Sequence, residues 1–86
     1  MTPYQAVFSR PALEFLIEAD RDETAEIRRW VERIERTPHI RGDFQDQDDQ
    51  WRRLEVVALD HTVITYWVDD AVREVRICKI EGLRGP

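Results

Sequence analysis

Trp51-Arg52-Arg53-Leu54-Glu55-Val56-Val57-Ala58-Leu59-Asp60-His61-Thr62-Val63-Ile64-Thr65-Tyr66-Trp67-Val68-Asp69-Asp70-Ala71-Val72-Arg73-Glu74-Val75-Arg76-Ile77-Cys78-Lys79-Ile80 is the stretch on which the fold turns. Three runs rich in Val, Ile, Thr and aromatic residues are separated by two polar joints, Asp60-His61 and Asp69-Asp70-Ala71. Side chains of a strand alternate between faces, so such runs suit a sheet with one buried face. Short joints containing Asp favour antiparallel hairpins, because Asp tolerates turn geometry and hydrogen-bonds nearby backbone. The stretch therefore predicts a three-stranded antiparallel meander. Within it Leu54, Val56 and Ala58 alternate with Arg53, Glu55 and Val57. Ile64, Tyr66 and Val68 alternate with Val63, Thr65 and Trp67. The phase of the last run is ambiguous: Val75 and Ile77 share a face with Lys79, whereas Cys78 and Ile80 share the other with Arg76.

A sheet with an apolar face needs a cover, and the first half of the chain supplies it. Tyr4 to Ser9 alternates and reads as an edge strand, with Pro3 at its start. Ser9 reads as a helix N-cap with Pro11 in the first turn. Leu13, Leu16 and Ile17 have the spacing of a buried helical stripe. Asp20 with Glu23 forms a capping-box pattern, Asp22 being a rival cap, and opens a longer helix to Thr37. Its buried stripe is Ile27, Trp30, Val31 and Ile34. Its other face carries Arg28, Arg29, Glu32, Arg33, Glu35 and Arg36, with Glu32 and Arg36 at pairing distance. Pro38 ends it. His39 to Gln50 is a polar connection anchored by Phe44, with a short strand expected near Asp43 to Gln47. Residues from Gly82 onward read as a frayed tail. The expected architecture is a single α+β domain over residues 1–86, β-α-α-β-β-β(-β), with two N-terminal helices on one face of an antiparallel sheet.

Composition narrows the function classes. A chain of 86 residues, 42% of them hydrophobic, suits one small folded domain of modest stability. The net charge of −5, with 36% charged residues, argues against a generic nucleic-acid binder. It does not exclude a basic face, because screening makes the field local over about 8 Å. One cysteine, Cys78, allows no internal disulfide and fits a reducing compartment. Met1-Thr2-Pro3-Tyr4 has no basic leader, and no long apolar run follows. A cytoplasmic, membrane-free protein is expected.

No cofactor or metal site is expected. The acidic cluster Asp43, Asp46, Asp48 and Asp49 fails as a calcium loop. Started at Asp46, it places Trp51 where glycine is needed and Val57 where the bidentate glutamate belongs. It reads instead as a solvated acidic loop. His61 has the right intrinsic pKa for a general base but sits in a hairpin joint, so it reads as a turn residue. Tyr66 reads as core, and Cys78 as a structural thiol. Arg53 and Arg84 are candidate phosphate ligands or ordinary surface arginines. Val63, Thr65 and Trp67 fall on the face that the helices leave open, and an exposed aromatic there marks a candidate interaction face.

The order strand, helix, helix, meander resembles the RelE/ParE toxin superfamily of bacterial type II toxin–antitoxin modules. The likeness is carried by Val7-Phe8-Ser9-Arg10-Pro11-Ala12, by Ile34-Glu35-Arg36-Thr37-Pro38, and by Trp51 to Val56, Val63 to Asp69 and Ile77 to Gly82. It implies a toxin-like protein neutralised by a cognate antitoxin. The implied targets are the ribosome and its mRNA for RelE-like members, or DNA gyrase for ParE-like members. A homodimer is a further possible assembly of the open face. The RelE-type pattern implies cations that stabilise a phosphorane, and matches Arg53 and Arg84. Glu55 and Val63 stand where two further cations are implied, and no tyrosine follows Tyr66. The resemblance therefore implies action by target binding, in the ParE manner, ahead of RelE-type endoribonuclease chemistry. A non-toxic interaction module on the same scaffold is the third reading.

Overall fold

The computed structural model describes residues 3–83. The elements are β1 (Gln5–Phe8), α1 (Arg10–Glu18), α2 (Arg21–Arg36), β2 (Phe44–Gln47), β3 (Arg53–Ala58), β4 (Thr62–Asp69) and β5 (Glu74–Gly82). The strands form one sheet in the order β1-β5-β4-β3-β2. Strands β2 to β5 are an antiparallel meander, one strand longer than the quoted stretch predicts, while β1 lies parallel to β5. The sheet is therefore mixed. Parallel pairing of β1 follows from its connection: a helical hairpin intervenes, and the chain then crosses the sheet before β5 returns beside β1.

Both helix starts form as the sequence predicts. The Ser9 hydroxyl accepts from the Ala12 N–H, with Pro11 in the first turn. Asp20 and Glu23 close a reciprocal capping box. Thr37 ends α2, its N–H bonded to the Arg33 carbonyl. The Arg36 Nε reaches the Glu32 backbone carbonyl at 3.3 Å rather than the Glu32 carboxylate.

The core is one layer between helices and sheet: Ala12, Ile27, Trp30, Ile34, Ile64, Tyr66, Val75, Ile77 and Ile80. Trp30 meets Tyr66 edge-on, ring centroids 5.0 Å apart, and the Tyr66 hydroxyl donates to the Ile40 carbonyl at 2.9 Å. The α1 stripe differs from the expected one. Leu16 faces the sheet as expected, but Leu13 is 48% and Ile17 82% exposed, and Ala12 and Phe15 face the sheet in their place. The helix is rotated so that the small Ala12 sits at the contact, which lets the helix approach the sheet closely.

The ambiguous phase of β5 resolves through a bulge. Ile77 pairs with Tyr66 and Lys79 with Thr65, so Cys78 is an extra residue on its strand. Val75, Ile77 and Ile80 can then all point inward although the last breaks the two-residue period. Strand β5 runs through Gly82, the end that the resemblance implies, so the frayed tail read from Gly82 begins later, and the Leu83 N–H bonds the His61 carbonyl. Val72 and Trp51, read as strand residues, lie in turns and are exposed. Phe44 does not anchor its loop; it is 63% exposed.

The connection before β2 is held by backbone contacts. A Cβ at Gly42 would sit 2.6 Å from the Val56 carbonyl oxygen, so only glycine lets this loop lie against β3. The acidic cluster is also more ordered than a solvated loop. Asp43 accepts from the Ala58 N–H, and Asp46 from the Gln47 N–H. Asp48 accepts from the Gln50 and Arg52 N–H groups and from the Arg52 guanidinium.

Candidate interaction face

The register assigns every strand residue to one of two faces. Ile64, Tyr66, Val75 and Ile77 point to the helices. Val63, Thr65 and Trp67 therefore point away, as do their neighbours Val56, Ala58, Arg76 and Lys79 and, one strand further out, Val7 and Phe44. Both helices lie on the other side. Among the described residues no element covers this second face, and Val63, Thr65 and Trp67 are half-buried only by one another and by adjacent strands.

Trp67 is the centre of the face. The Arg52 guanidinium stacks 4.6 Å from its ring and that of Arg76 lies 5.8 Å away. These residues line a shallow groove of about 360 Å³ with Val7, Pro11 and Cys78. Each cation here has a carboxylate partner. Arg52 pairs with Asp48 at 2.6 Å, Arg76 with Glu74 at 2.8 Å and Asp69 at 3.6 Å, and Lys79 with Glu81 at 3.5 Å. The Arg52 guanidinium hydrogen-bonded to Asp48 holds its carboxyl below the ordinary 3.8. Burial pushes the half-buried Cys78 thiol above its usual range, so it is no reactive thiolate at neutral pH. The face is apolar, aromatic and charge-balanced, a chemistry suited to a protein surface.

Sequence reasoning misses Arg52 and Arg76. Arg76 lies opposite Trp67 only in the register that the Cys78 bulge produces. Arg52 precedes its strand and is aimed by the Asp48 turn.

Arg53 is placed elsewhere. It belongs to the helix-side face with Glu55, which lies opposite Tyr66, and its Nε is 3.1 Å from the Glu55 carboxylate. Arg53 and Glu55 thus meet on one side of the sheet while Val63, which the resemblance groups with them, stands on the other. Arg84 lies outside the described residues. Glu55 instead ties down the loop before β2, because its carboxylate accepts from the Gly42 N–H at 2.8 Å and the Gln45 amide at 3.1 Å. Burial alone would raise its pKa. The Gly42 N–H, the Gln45 amide and the Arg53 and Arg41 charges outweigh burial and hold the carboxyl below its ordinary 4.5.

Arg53 lines a cavity of about 260 Å³ with His39, Arg41, Val68 and Asp70. The His39 Nε2 is 3.0 Å from Asp70, which also accepts from the Tyr4 hydroxyl. Tyr66 is buried, and burial together with Glu55 and Asp43 pushes its pKa to about 12, which removes it from acid–base work. His61 is a turn residue whose N–H donates to the buried Glu26 carboxylate at 2.9 Å; the Thr62 hydroxyl donates to the same carboxylate.

The architecture is a helical hairpin on one side of a small mixed sheet whose other side is open. Among solved structures, a chain of the toxin–antitoxin complex RelBE2 from Mycobacterium tuberculosis superposes with a TM-score of 0.72 at 16% identity, over 94% of this chain and 99% of that one. No family profile matches the chain, and no curated protein matches it. At this identity the likeness establishes the fold. No helix among the described residues is long and apolar enough to cross a membrane.

Proposed function

We propose that the protein is the toxin-like component of a bacterial type II toxin–antitoxin module, and that it acts by binding a target through the open sheet face rather than by RelE-type catalysis. The observation that carries this reading is the character of that face on this fold. It is uncovered, it is built around Trp67 and flanked by Val63 and Thr65, and its cations are already paired with carboxylates. Phosphorane stabilisation needs cations free to meet the substrate. A charge-balanced apolar face around an aromatic instead suits a protein partner, where buried aromatics dominate binding energy. The same face is the proposed seat of a cognate antitoxin, or of a macromolecular target such as DNA gyrase. The similar solved structure is itself a toxin–antitoxin complex.

Expression in a bacterial host, with and without the product of the neighbouring small reading frame, tests the reading. Growth arrest relieved by that product is expected, with Trp67→Ala weakening both arrest and capture. Normal growth and no binding to the neighbour's product would sink it and favour a non-toxic interaction module.

One observation favours a second reading, RNA cleavage. Arg53 shares its cavity with Arg41 and with His39, whose ring is oriented by Asp70. Primer extension on mRNA from induced cells decides: new cleavage sites abolished by Arg53→Ala support cleavage, and unchanged transcripts exclude it.

A further inference from the structure

Residues 28–41 hold five arginines against two glutamates, a local charge of +3 in a chain whose net charge is −5. The rest of the molecule is correspondingly acidic. On a helix of 3.6 residues per turn, Arg29, Arg33 and Arg36 fall within about 60° of one another on the outer side of α2, away from the stripe of Ile27, Trp30 and Ile34, with Arg28 further round. All four are exposed, as is Arg41 just beyond the helix.

None of these five arginines has a carboxylate within 4.0 Å among the described residues. Of the nearby carboxylates, Glu32 lies within the row and Asp60 borders Arg29 and Arg33, neither within pairing distance, and the others are engaged elsewhere. Glu26 holds His61 and Thr62, Glu35 accepts from the Ala6 N–H at 2.8 Å, and Asp43 accepts from the Ala58 N–H. The row therefore keeps a net positive charge with no close ion pair. Arg29 to Arg36 spans about 10 Å at 1.5 Å rise per residue, enough to meet two or three successive phosphates. The outer face of α2 also lacks an exposed large apolar residue; Leu13, Ile17, Phe44, Trp51 and the others lie on different elements. A protein partner would need such an anchor. A phosphate backbone needs only cations, and the arginine fork suits it.

We propose that the outer face of α2, through Arg29, Arg33 and Arg36 with Arg28 and Arg41 at its margins, binds the phosphate backbone of a nucleic acid. The surface is separate from the open sheet face and does not depend on the toxin reading. Binding there is independent of base sequence and strongly salt-dependent, because each phosphate contact releases a counterion.

Fluorescence anisotropy with a short labelled single-stranded RNA, and with DNA of the same sequence, tests it. For three contacts, log affinity is expected to fall against log salt with a slope of about −2. The variant R29E/R33E/R36E is expected to bind at least about tenfold more weakly and to lose most of that slope. Arg10→Gln, on α1 and outside both surfaces, should leave both unchanged. Equal affinity for RNA and DNA identifies backbone recognition; a preference for one assigns the natural ligand. Should the triple charge reversal melt early by circular dichroism, R29Q/R33Q replaces it, since glutamine keeps the helix and should flatten the slope by about 1.4. Undiminished binding by the folded variant, no binding by the wild type at low salt, or equal displacement by polyglutamate would overturn the proposal; the last would assign the row to an acidic protein.

Discussion

The two surfaces of the molecule treat their charges in opposite ways. On the open sheet face Arg52, Arg76 and Lys79 each meet a carboxylate, and two of them stack on Trp67. On the outer face of α2 the arginines have none within 4.0 Å: Glu26, Glu35 and Asp43 hold backbone groups, and Glu32 stands in the row without a close pair. The difference lies in the backbone geometry beneath. Residues two apart on a strand share a face, so Glu74 meets Arg76 and Glu81 meets Lys79, while the Asp48 turn brings Arg52 to its partner. A helix offers pairing only at i+3 and i+4, and α2 spends its one suitable outer acid, Glu32, without pairing it to Arg36. The first surface is electrostatically finished within the chain; the second is finished only by an external anion.

The comparison requires Trp67 to be part of the sheet's own structure and not a loose exposed ring. Trp67→Ala deletes a half-buried indole and two guanidinium stacks. A loss of about 2 kcal/mol is expected from the packing and cation–π contributions together. Urea denaturation measures it. A change below about 0.5 kcal/mol, the range of ordinary surface substitutions, would show that the ring packs on nothing.

Most of this architecture was legible in the sequence, because amphipathic periods and caps are local signals. The Ser9 and Asp20 caps, the α2 stripe and the turn at His61 form as the residues predict. The misread parts depend on long-range geometry. The rotation of α1 onto Ala12 follows from how close the helix approaches the sheet, which leaves Leu13 and Ile17 outside. The phase of β5 depends on one extra residue, Cys78, that no periodicity shows. That Val63, Thr65 and Trp67 share the open side was legible, because alternation alone separates them from Tyr66. Its flanking arginines were not, because they are neighbours only across strands. Arg53 and Val63 read as neighbouring positions of one site, since a sequence shows residue type but not which side of a sheet carries it.

A smaller effect concerns the loop bearing Arg41, which borders the α2 row. Glu55→Gln weakens the clamp on Gly42 and removes the charge facing Arg53 and Arg41; a cost of about 1 kcal/mol is expected for a largely shielded group with a solvent-screened ion pair. The pH dependence follows from its depressed folded pKa. The unfolded chain takes up the proton first, so the contribution is complete above the ordinary 4.5 and is lost as pH falls through the lower folded value. Wild type should therefore lose stability faster than the variant below about pH 4.5. Parallel curves would mean that the clamp works through shape and not charge.

The smallest effect is the sharpest, because it is a difference in sign. Arg76→Gln breaks a pair with Glu74 and a stack on Trp67, and should cost about 0.5 kcal/mol. Arg29→Gln breaks no pair. It removes like-charge repulsion with Arg33 four residues on, and should stabilise the fold by about 0.2–0.5 kcal/mol at low salt. Added salt screens that repulsion, so the gain should fade as ionic strength rises. Thermal denaturation of both variants at two salt concentrations reads the signs. If Arg29→Gln destabilises the fold as Arg76→Gln does, its guanidinium has a partner within the chain, and the contrast between the two surfaces collapses.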